Sequence, residues 1–429
     1  MNIYQWNNMD INAKASLLRR AEKDISEQME VALGIINEVK KGGDEAVCRF
    51  TEKFDGAHLT PQSLRVTEEE IDEGYERIGD AFKETLWFAA KNIRTFHTRQ
   101  MPEPLWFTET VPGVMVGEQT NPIPDVCIYV PRGKGSFPSV LLMLAIPAIV
   151  AKVPRIVVVT PPNSQGKLDD SVLAAAKVAG VSEIYKAGGV QAVAAVAYGT
   201  QTIPRCSKII GPGNSYVTAA KRILNGVLDV GPPAGPSEAI ILADETADAK
   251  KAALDLMIEA EHGPDSASLL VTHVAELAEQ VKKIIEKQLP KLSEKRRSFV
   301  NTVFNNYGGI ILTQSLEESI DVVNQYGPEH MELMVKDPWG ILPRIKNAGE
   351  ILLGHNAPIT LANFLLGPNA ILPTGGSAKT YSSVSVFDFI KRSSVGYVTE
   401  EGYQKVKDMA ALFAREEGFE THALAIEDR

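Results

Sequence analysis

Two pairs, each an acidic residue and a histidine, carry the clearest chemical information in the sequence. Glu259 and His262 are three residues apart in a helical stretch, so both side chains project from one face. That spacing is typical of a shared metal ion, and it is also typical of an ordinary surface pair. Glu329 and His330 are adjacent at the entrance of a predicted strand, where they could act as a general-base pair. A loop histidine that only binds backbone groups would give the same local sequence.

Glycine-bearing loops occupy residues 131–135, 188–191 and 211–214, each directly after a predicted strand. Bare N–H groups in such loops favour an anion or the polar edge of a cofactor. The 211–214 loop is weak evidence when taken alone, because Tyr216 stands where the dinucleotide fingerprint has its third glycine, and a plain tight turn would explain it. Three such loops at one edge of a parallel sheet indicate a ligand site more strongly, since ligands bind outside the carboxyl ends of the strands.

The elements that must position these residues alternate from Asp125 onwards. Short β-branched runs and Ala-rich helical stretches predict right-handed crossovers and two parallel sheets. Residues 1–100 show charged helical periodicity, and the chain after Ser383 is predicted to be mostly helical, including 384–391 and 403–416. The predicted strands are 126–129, 156–160, 183–186 and 208–210 in the first series, and 239–243, 268–272, 309–313, 331–335 and 351–353 in the second.

Composition excludes several classes of protein. The 429 residues carry 44 basic and 54 acidic side chains, a net charge of −10, without a basic tract for nucleic acid. The most apolar stretch, 140–159, is interrupted by prolines and cations, so no membrane span is predicted. Three widely spaced cysteines and the lack of a secretory pattern favour a reducing cytoplasm.

Nine short motifs, taken in order, resemble the histidinol dehydrogenase family over nearly the whole chain. They are Tyr129-Val130-Pro131, Lys186-Ala187-Gly188-Gly189-Val190-Gln191, Ile210-Gly211-Pro212-Gly213-Asn214, Ala234-Gly235-Pro236-Ser237-Glu238, Glu259-Ala260-Glu261-His262, Gly327-Pro328-Glu329-His330, Gly367-Pro368-Asn369, Leu372-Pro373-Thr374 and Glu417-Gly418. The resemblance implies an α/β protein with two incomplete Rossmann-like parallel-sheet domains, of the aldehyde dehydrogenase/histidinol dehydrogenase type. It also implies a homodimer whose tails cross to the partner, one zinc ion per subunit, and NAD-dependent oxidation of a small alcohol through an aldehyde to a carboxylate.

Four segments are predicted on this basis. Residues 1–24 form a helical segment, 25–128 with 238–383 form an α/β domain carrying the metal and acid–base residues, 129–237 form the NAD-binding domain, and 384–429 form a helical tail. The resemblance assigns NAD contacts to Tyr129, Gln191 and Asn214, and the acid–base roles to Glu329 and His330. It assigns zinc to Glu259, His262, Asn363 and His422, and substrate contacts to these four together with Ser237, His330 and Glu417.

The chain departs from the family pattern at several of these positions. Glu259 stands where the family has Gln, and Asn363 stands where it has the ligand Asp, so the two changes leave one carboxylate and two imidazoles for Zn²⁺. Ala370 replaces a histidine, and Arg132 and Lys134 follow Pro131. A lost imidazole and added cations favour a different, anionic substrate such as a dihydroxy sulfonate or sugar acid.

Two further hypotheses remain open at this point. A zinc hydrolase could use Glu329 to activate water without a nicotinamide, but it would leave the glycine loops and Gln191 unexplained. A catalytically inactive metal- or nucleotide-binding protein is disfavoured by the retained Glu329-His330 pair.

Overall fold

The computed structural model describes residues 1–18, 25–133, 135–233 and 235–429, and it is built around two parallel sheets. In these ranges the strands are β1 (Ile3–Gln5), β2 (Leu105–Val111), β3 (Val114–Pro122), β4 (Asp125–Tyr129), β5 (Arg155–Thr160), β6 (Ile184–Lys186), β7 (Ile209–Ile210), β8 (Glu238–Ala243), β9 (Ala267–Thr272), β10 (Gly308–Leu312), β11 (His330–Met334), β12 (Glu350–Leu353) and β13 (Ile390–Val398). One parallel sheet has the order β1-β10-β9-β8-β11-β12 and the other has the order β6-β5-β4-β7. The predicted α/β class with two parallel sheets is confirmed.

Helices cover the two sheets. In the described ranges they are α1 (Ile11–Leu18), α2 (Ser26–Asp55), α3 (Glu68–Arg77), α4 (Asp80–Thr98), α5 (Pro138–Val150), α6 (Asp170–Ala179), α7 (Gly189–Tyr198), α8 (Ser215–Leu224), α9 (Ala249–Ala260), α10 (Ala275–Gln288), α11 (Glu294–Asn306), α12 (Leu316–Tyr326), α13 (Pro338–Ile341), α14 (Ile359–Phe364), α15 (Glu400–Glu416) and α16 (Glu420–Glu427). Strands β8 and β9 are mostly apolar and are buried along their whole length, as strands of a sheet with helices on each side must be.

Residues 25–128 group with the four-stranded sheet, which differs from the predicted division. Helix α2 packs on α7 and α8, and α3 and α4 pack on α6 and α5. Strand β4 lies inside that sheet, between β5 and β7. Leu86 and Ile93 of α4 share a core with Ile128 and Leu142, and Ile371 of the 238–383 segment also belongs to that core. Helical periodicity identifies a buried stripe, but it does not say which sheet covers that stripe.

The amino-terminal segment contains a strand, whereas the sequence predicts a purely helical segment over residues 1–24. Strand β1 pairs with β10 at the edge of the six-stranded sheet, with Ile3 opposite Ile310, and α1 follows. Residues 19–24 lie outside the described ranges. A three-residue strand is too short to show a period of two, so its sequence could not reveal it.

The carboxyl-terminal segment contains a strand where a helix was predicted over 384–391. Only a short 3₁₀ turn forms there, at Val386–Asp388, and β13 follows. Strand β13 is antiparallel to β3, and β3 is antiparallel to β2, forming a three-stranded ribbon that the sequence did not predict. Its residues are mostly exposed on both faces, so no alternation of apolar and polar side chains marks them. The helix predicted at 403–416 is present as α15.

The described helices include none that is long and apolar enough to span a lipid bilayer. Cys48, Cys127 and Cys206 are buried and form no disulfide with one another.

Candidate active site

A cleft of about 2600 Å³ is lined by residues of both parallel-sheet regions. It contains all three glycine loops and most of the residues singled out in the sequence. Of the predicted site residues, the cleft is lined by Tyr129, Gln191, Asn214, Ser237, Glu259, His262, Glu329, His330 and Asn363. The two sheets therefore bring cofactor candidates and acid–base candidates to one cavity, as the parallel arrangement predicts.

Glu329 and His330 lie at the entrance of β11, where the loop from α12 turns into the sheet. The Glu329 carboxylate accepts a hydrogen bond from the backbone N–H of Glu238 at 2.8 Å, which fixes it against the start of β8. Its Oε1 is 3.9 Å from Nε2 of His330, and both side chains are buried. An acid and an imidazole are thus held side by side, facing the cleft.

Burial and neighbouring charge shape the titration of this pair. Burial raises the pKa of Glu329 well above its usual value, and the carboxylates of Glu259 and Glu238 add to that rise against the opposing charge of His330. Burial alone lowers the pKa of His330, but a hydrogen bond with Glu350 and the charges of Glu329 and Glu259 raise it to about 10. The excess of carboxylates around one imidazole is a negative site that a bound cation would balance.

Glu259 is the best candidate for holding that cation. It lies near the end of α9, it is fully buried, and neither carboxylate oxygen has a hydrogen-bond partner among the described residues. Ligand atoms of Glu259, Glu329 and His330 all lie within 4.8 Å of one another. An uncompensated buried carboxylate is costly, so Glu259 fits a ligand of a divalent cation such as Zn²⁺, with Glu329 and His330 close to that cation.

The other predicted zinc ligands divide into two groups. His262 follows the end of α9 with Nδ1 3.5 Å from Glu259. Its Nδ1 donates to the carbonyl of Ile258 at 3.0 Å, so Nε2 is the nitrogen that could bind a metal. Asn363 of α14 lines the same cleft. Neither belongs to the tight group around Glu259. His422 and Glu417 lie on the exposed tail, outside this cleft, so one chain does not bring them to the other site residues.

The cofactor candidates lie around the glycine loops. The hydroxyl of Tyr129 accepts from the backbone N–H of Gly189 at 3.0 Å. Gln191 is completely buried, and both atoms of its amide lack a partner among the described residues, so they need a bound polar group. Asn214 caps α8, because its Oδ1 accepts from the N–H groups of Tyr216 and Val217 at 3.1 Å. Its cap role matches the turn interpretation and leaves only its amide nitrogen for a ligand.

The substrate-related departures have a mixed outcome. Ala370 and Arg132 both line the cleft, but Arg132 is paired with Asp169 at 3.3 Å, so much of its positive charge is balanced. Lys134 lies outside the described residues.

Sequence reasoning missed Glu350, whose carboxylate contacts His330 at 2.9 Å. A charged residue at the first position of an otherwise apolar strand was the available indication.

Comparison with known proteins agrees with this geometry. The family model described as histidinol dehydrogenase matches residues 18–429. Histidinol dehydrogenase of Synechocystis sp. is 50% identical over 413 residues, covering 96% of this chain and 95% of that protein. A histidinol dehydrogenase homolog of Rhizobium meliloti is 48% identical over 427 residues, covering 99% and 94%.

A solved structure gives the same result at the level of the fold. The crystal structure of histidinol dehydrogenase from Elizabethkingia anophelis matches with a TM-score of 0.95 at 34% identity, and the match covers 100% of this chain and 97% of that one. The chain therefore belongs to the histidinol dehydrogenase family of NAD- and zinc-dependent oxidoreductases that act on CH–OH groups.

Proposed function

We propose that this protein oxidises a small polar alcohol, L-histidinol or an analogue, through an aldehyde to a carboxylate. The observation that carries the proposal is the buried Glu329-His330 pair beside Glu259, whose carboxylate has no hydrogen-bond partner among the described residues, in one cleft with the three glycine loops. When bound, zinc would polarise the alcohol oxygen and NAD would accept the hydride.

His330 and Glu329 each carry out one of the proton transfers. His330 takes the hydroxyl proton at Nε2 in the first oxidation, and Glu329 activates a water molecule for attack on the aldehyde in the second. A cation held at Glu259 would lower the pKa of His330 by like-charge repulsion, so the imidazole could act as a base near neutral pH. Zinc would be held by Glu259, His262 and Asn363, with His422 of the partner subunit. Tyr129, Gln191 and Asn214 would contact NAD, and Ser237 and Glu417 would contact the substrate.

The tail supports a homodimer. Helices α15 and α16 expose an apolar stripe whose side chains are between 49% and 67% accessible, namely Met409, Leu412, Phe413, Phe419 and Leu424. Met409, Leu412 and Phe413 lie on one face of α15, and exposed apolar side chains grouped in this way are typical of a protein interface. We infer that the tail covers the cleft of a second copy and completes its site with Glu417 and His422.

The three buried free cysteines support a reducing, cytoplasmic location.

The alternative substrate is an anionic hydroxy compound, such as a dihydroxy sulfonate or a sugar acid. Ala370 favours it, because a family imidazole is replaced by a methyl group in the cleft. The pairing of Arg132 with Asp169 weakens the charge argument for it. A zinc hydrolase would leave the partnerless amide of Gln191 without a purpose.

The decisive experiment is NADH formation by purified, zinc-loaded protein. Histidinol, dihydroxy sulfonates and sugar acids are supplied separately with NAD, and absorbance of NADH is followed together with product analysis. Oxidation to the carboxylate requires two hydride transfers per alcohol. Absence of NADH with every alcohol, together with hydrolysis of an ester or amide panel, would contradict the proposal.

A further inference from the structure

Glu350 lies directly beside His330, on the neighbouring strand. Strand β12 begins at Glu350, and the register of the parallel pair places it opposite His330. Its Oε2 is 2.9 Å from Nδ1 of His330. Glu350 and His330 are only 9% and 3% exposed, so water does not weaken this contact.

The backbone fixes this approach. The N–H of Gly349 donates to the carbonyl of Pro328, and the N–H of Glu350 donates to the carbonyl of Glu329, both at 2.9 Å. A Cβ at position 349 would come within 2.7 Å of the Glu329 carbonyl oxygen, so only glycine allows the two strand entrances to lie this close. The position of Glu350 relative to His330 is therefore set by main-chain bonds and not by a flexible loop.

The carboxylate of Glu350 has no structural task that would explain its burial. Its Oε1 is buried without a partner among the described residues, and its Oε2 contacts His330. Glu332, a buried acid on the adjacent strand, differs because it accepts the backbone N–H of Ile359 at 2.8 Å. Burying a carboxylate with so few hydrogen-bond donors lowers the stability of the fold. An apolar residue at position 350, like the Ile351 and Leu352 that follow it, would avoid that cost. The contact with His330 therefore explains why a carboxylate is buried at position 350.

We propose that Glu350 is the positioning residue of the catalytic base: it accepts the Nδ1 hydrogen of His330 and so keeps Nε2 as the nitrogen that takes the alcohol proton. This inference rests on the proposed function, since it assigns Glu350 a part in the same proton transfer. Nε2 then faces the cleft beside Glu329, and the positive charge that His330 gains on accepting the proton lies against a carboxylate. An orienting acid behind a catalytic imidazole acts by this physics in other enzymes.

Two substitutions separate this role from packing. Glu350→Leu keeps most of the volume and removes both charge and acceptor, whereas Glu350→Asp keeps the carboxylate and loses one methylene. Positioning predicts that Glu350→Leu lowers kcat by about 10–100-fold, the scale found for groups that orient functional histidines. Glu350→Asp should lose less activity, and KM for alcohol and for NAD should change by no more than about 3-fold in both. A packing role predicts the reverse order, with Leu near wild type and Asp impaired.

A spectroscopic measurement tests the same contact without turnover. In zinc-loaded, ¹⁵N-histidine-labelled protein, recorded at a pH at which His330 is neutral, the resonances of His330 are assigned by their loss in His330→Gln. We expect a hydrogen on Nδ1 in the wild type and in Glu350→Asp, and its transfer to Nε2 in Glu350→Leu. Unchanged Nδ1 protonation in Glu350→Leu, or kcat within about 2-fold of wild type, would overturn the proposal.

A matched control removes a buried carboxylate elsewhere. Asp44 is 2% exposed and binds the Thr202 hydroxyl, so Asp44→Asn is a comparable change outside the cleft. It should leave kcat unaltered, and an equal loss in this variant would contradict a specific role for Glu350. If the wild type oxidises no alcohol, the proposed function fails, whereas the ¹⁵N experiment still decides whether Glu350 sets the protonated nitrogen of His330.

Discussion

Glu259 is a fully buried carboxylate whose two oxygens have no hydrogen-bond partner among the described residues. The effective cost of burying one such ion is on the order of several kcal/mol, so the chain has retained it against a stability penalty. The proposed zinc coordination would explain the penalty, and it would also explain why position 363 holds Asn in place of the family's acid. Glu259 in place of the family's Gln and Asn363 in place of its Asp each change the charge near the metal by one unit. The two changes have opposite sign, so together they cancel.

This cancellation predicts a coupled effect on zinc binding. Glu259→Gln leaves the ligand set without a carboxylate and Asn363→Asp gives it two, so each single change should alter zinc affinity. The double variant returns to one carboxylate and should bind zinc more tightly than Glu259→Gln, with an interaction energy of about 0.5–3 kcal/mol. Calorimetric zinc titration of the four proteins measures this term. Additive effects, or equal affinity in all four, would remove these residues from the ligand set.

His330→Ala tests the base itself. Loss of the group that accepts the alcohol proton should lower turnover by about 10²–10⁴-fold. NAD binding should be unchanged, because the glycine loops lie on the other sheet. Steady-state kinetics and calorimetric NAD titration supply the two readouts, with wild type as the reference. Near-normal turnover would exclude His330 from the mechanism.

At the scale of elements, the strongly apolar strands and the capped helices were predictable. An Ala-rich helical stretch predicts a helix at residues 215–224, and the structure has α8 there with Asn214 as its cap. The ribbon of β2, β3 and β13 was not predictable from the sequence. Trp106, Phe107 and Tyr397 are exposed, and the strands have no buried face that would impose an alternation of apolar and polar side chains. The pairing of β13 with β3 also joins segments that are distant in sequence, which a local pattern does not contain.

The same limit applies to the site. Short motifs located Glu329, His330, Glu259 and Gln191, because each lies at the end of a regular element. Glu350 was missed, since its role comes from the register between β11 and β12. Residue types at strand ends can be read along the chain, whereas contacts across strands depend on the sheet order.

The glycine loop after β7 gives a prediction for one element. Gly211 has φ of +132°, and a Cβ there would collide with the carbonyl oxygen of Tyr129. Gly211→Ala should destabilise the fold by about 1–3 kcal/mol and weaken NAD binding. Urea unfolding and NAD titration measure the two effects. Gly180→Ala is the control, because Gly180 also has positive φ but open space around it, so it should cost about 1 kcal/mol and leave NAD binding intact.

At the scale of the whole molecule, the proposed dimer would bring the tail of one chain to the cleft of the other. The cleft holds an acid–base pair and Glu259, whose oxygens have no hydrogen-bond partner among the described residues, while the exposed tail carries Glu417 and His422. The ring of His422 contacts Phe419 at 5.0 Å between centroids, within the apolar stripe defined above. A second copy of the chain would satisfy both surfaces, since its tail could cover this cleft.

Truncation after Glu416 tests this arrangement, because it removes α16, Glu417 and His422 while leaving both parallel sheets intact. We expect the truncated protein to keep its circular dichroism spectrum, to bind zinc more weakly and to lose activity. His262→Ala should also be inactive, since it lacks a ligand on the cleft side. In a mixed dimer, however, the truncated chain offers an intact cleft and the His262→Ala chain offers an intact tail, so one of the two sites is complete. Mixed dimers purified with two different affinity tags should therefore recover about half of the wild-type activity per dimer. Inactive mixed dimers, with both parents folded, would show that each site is built from a single chain.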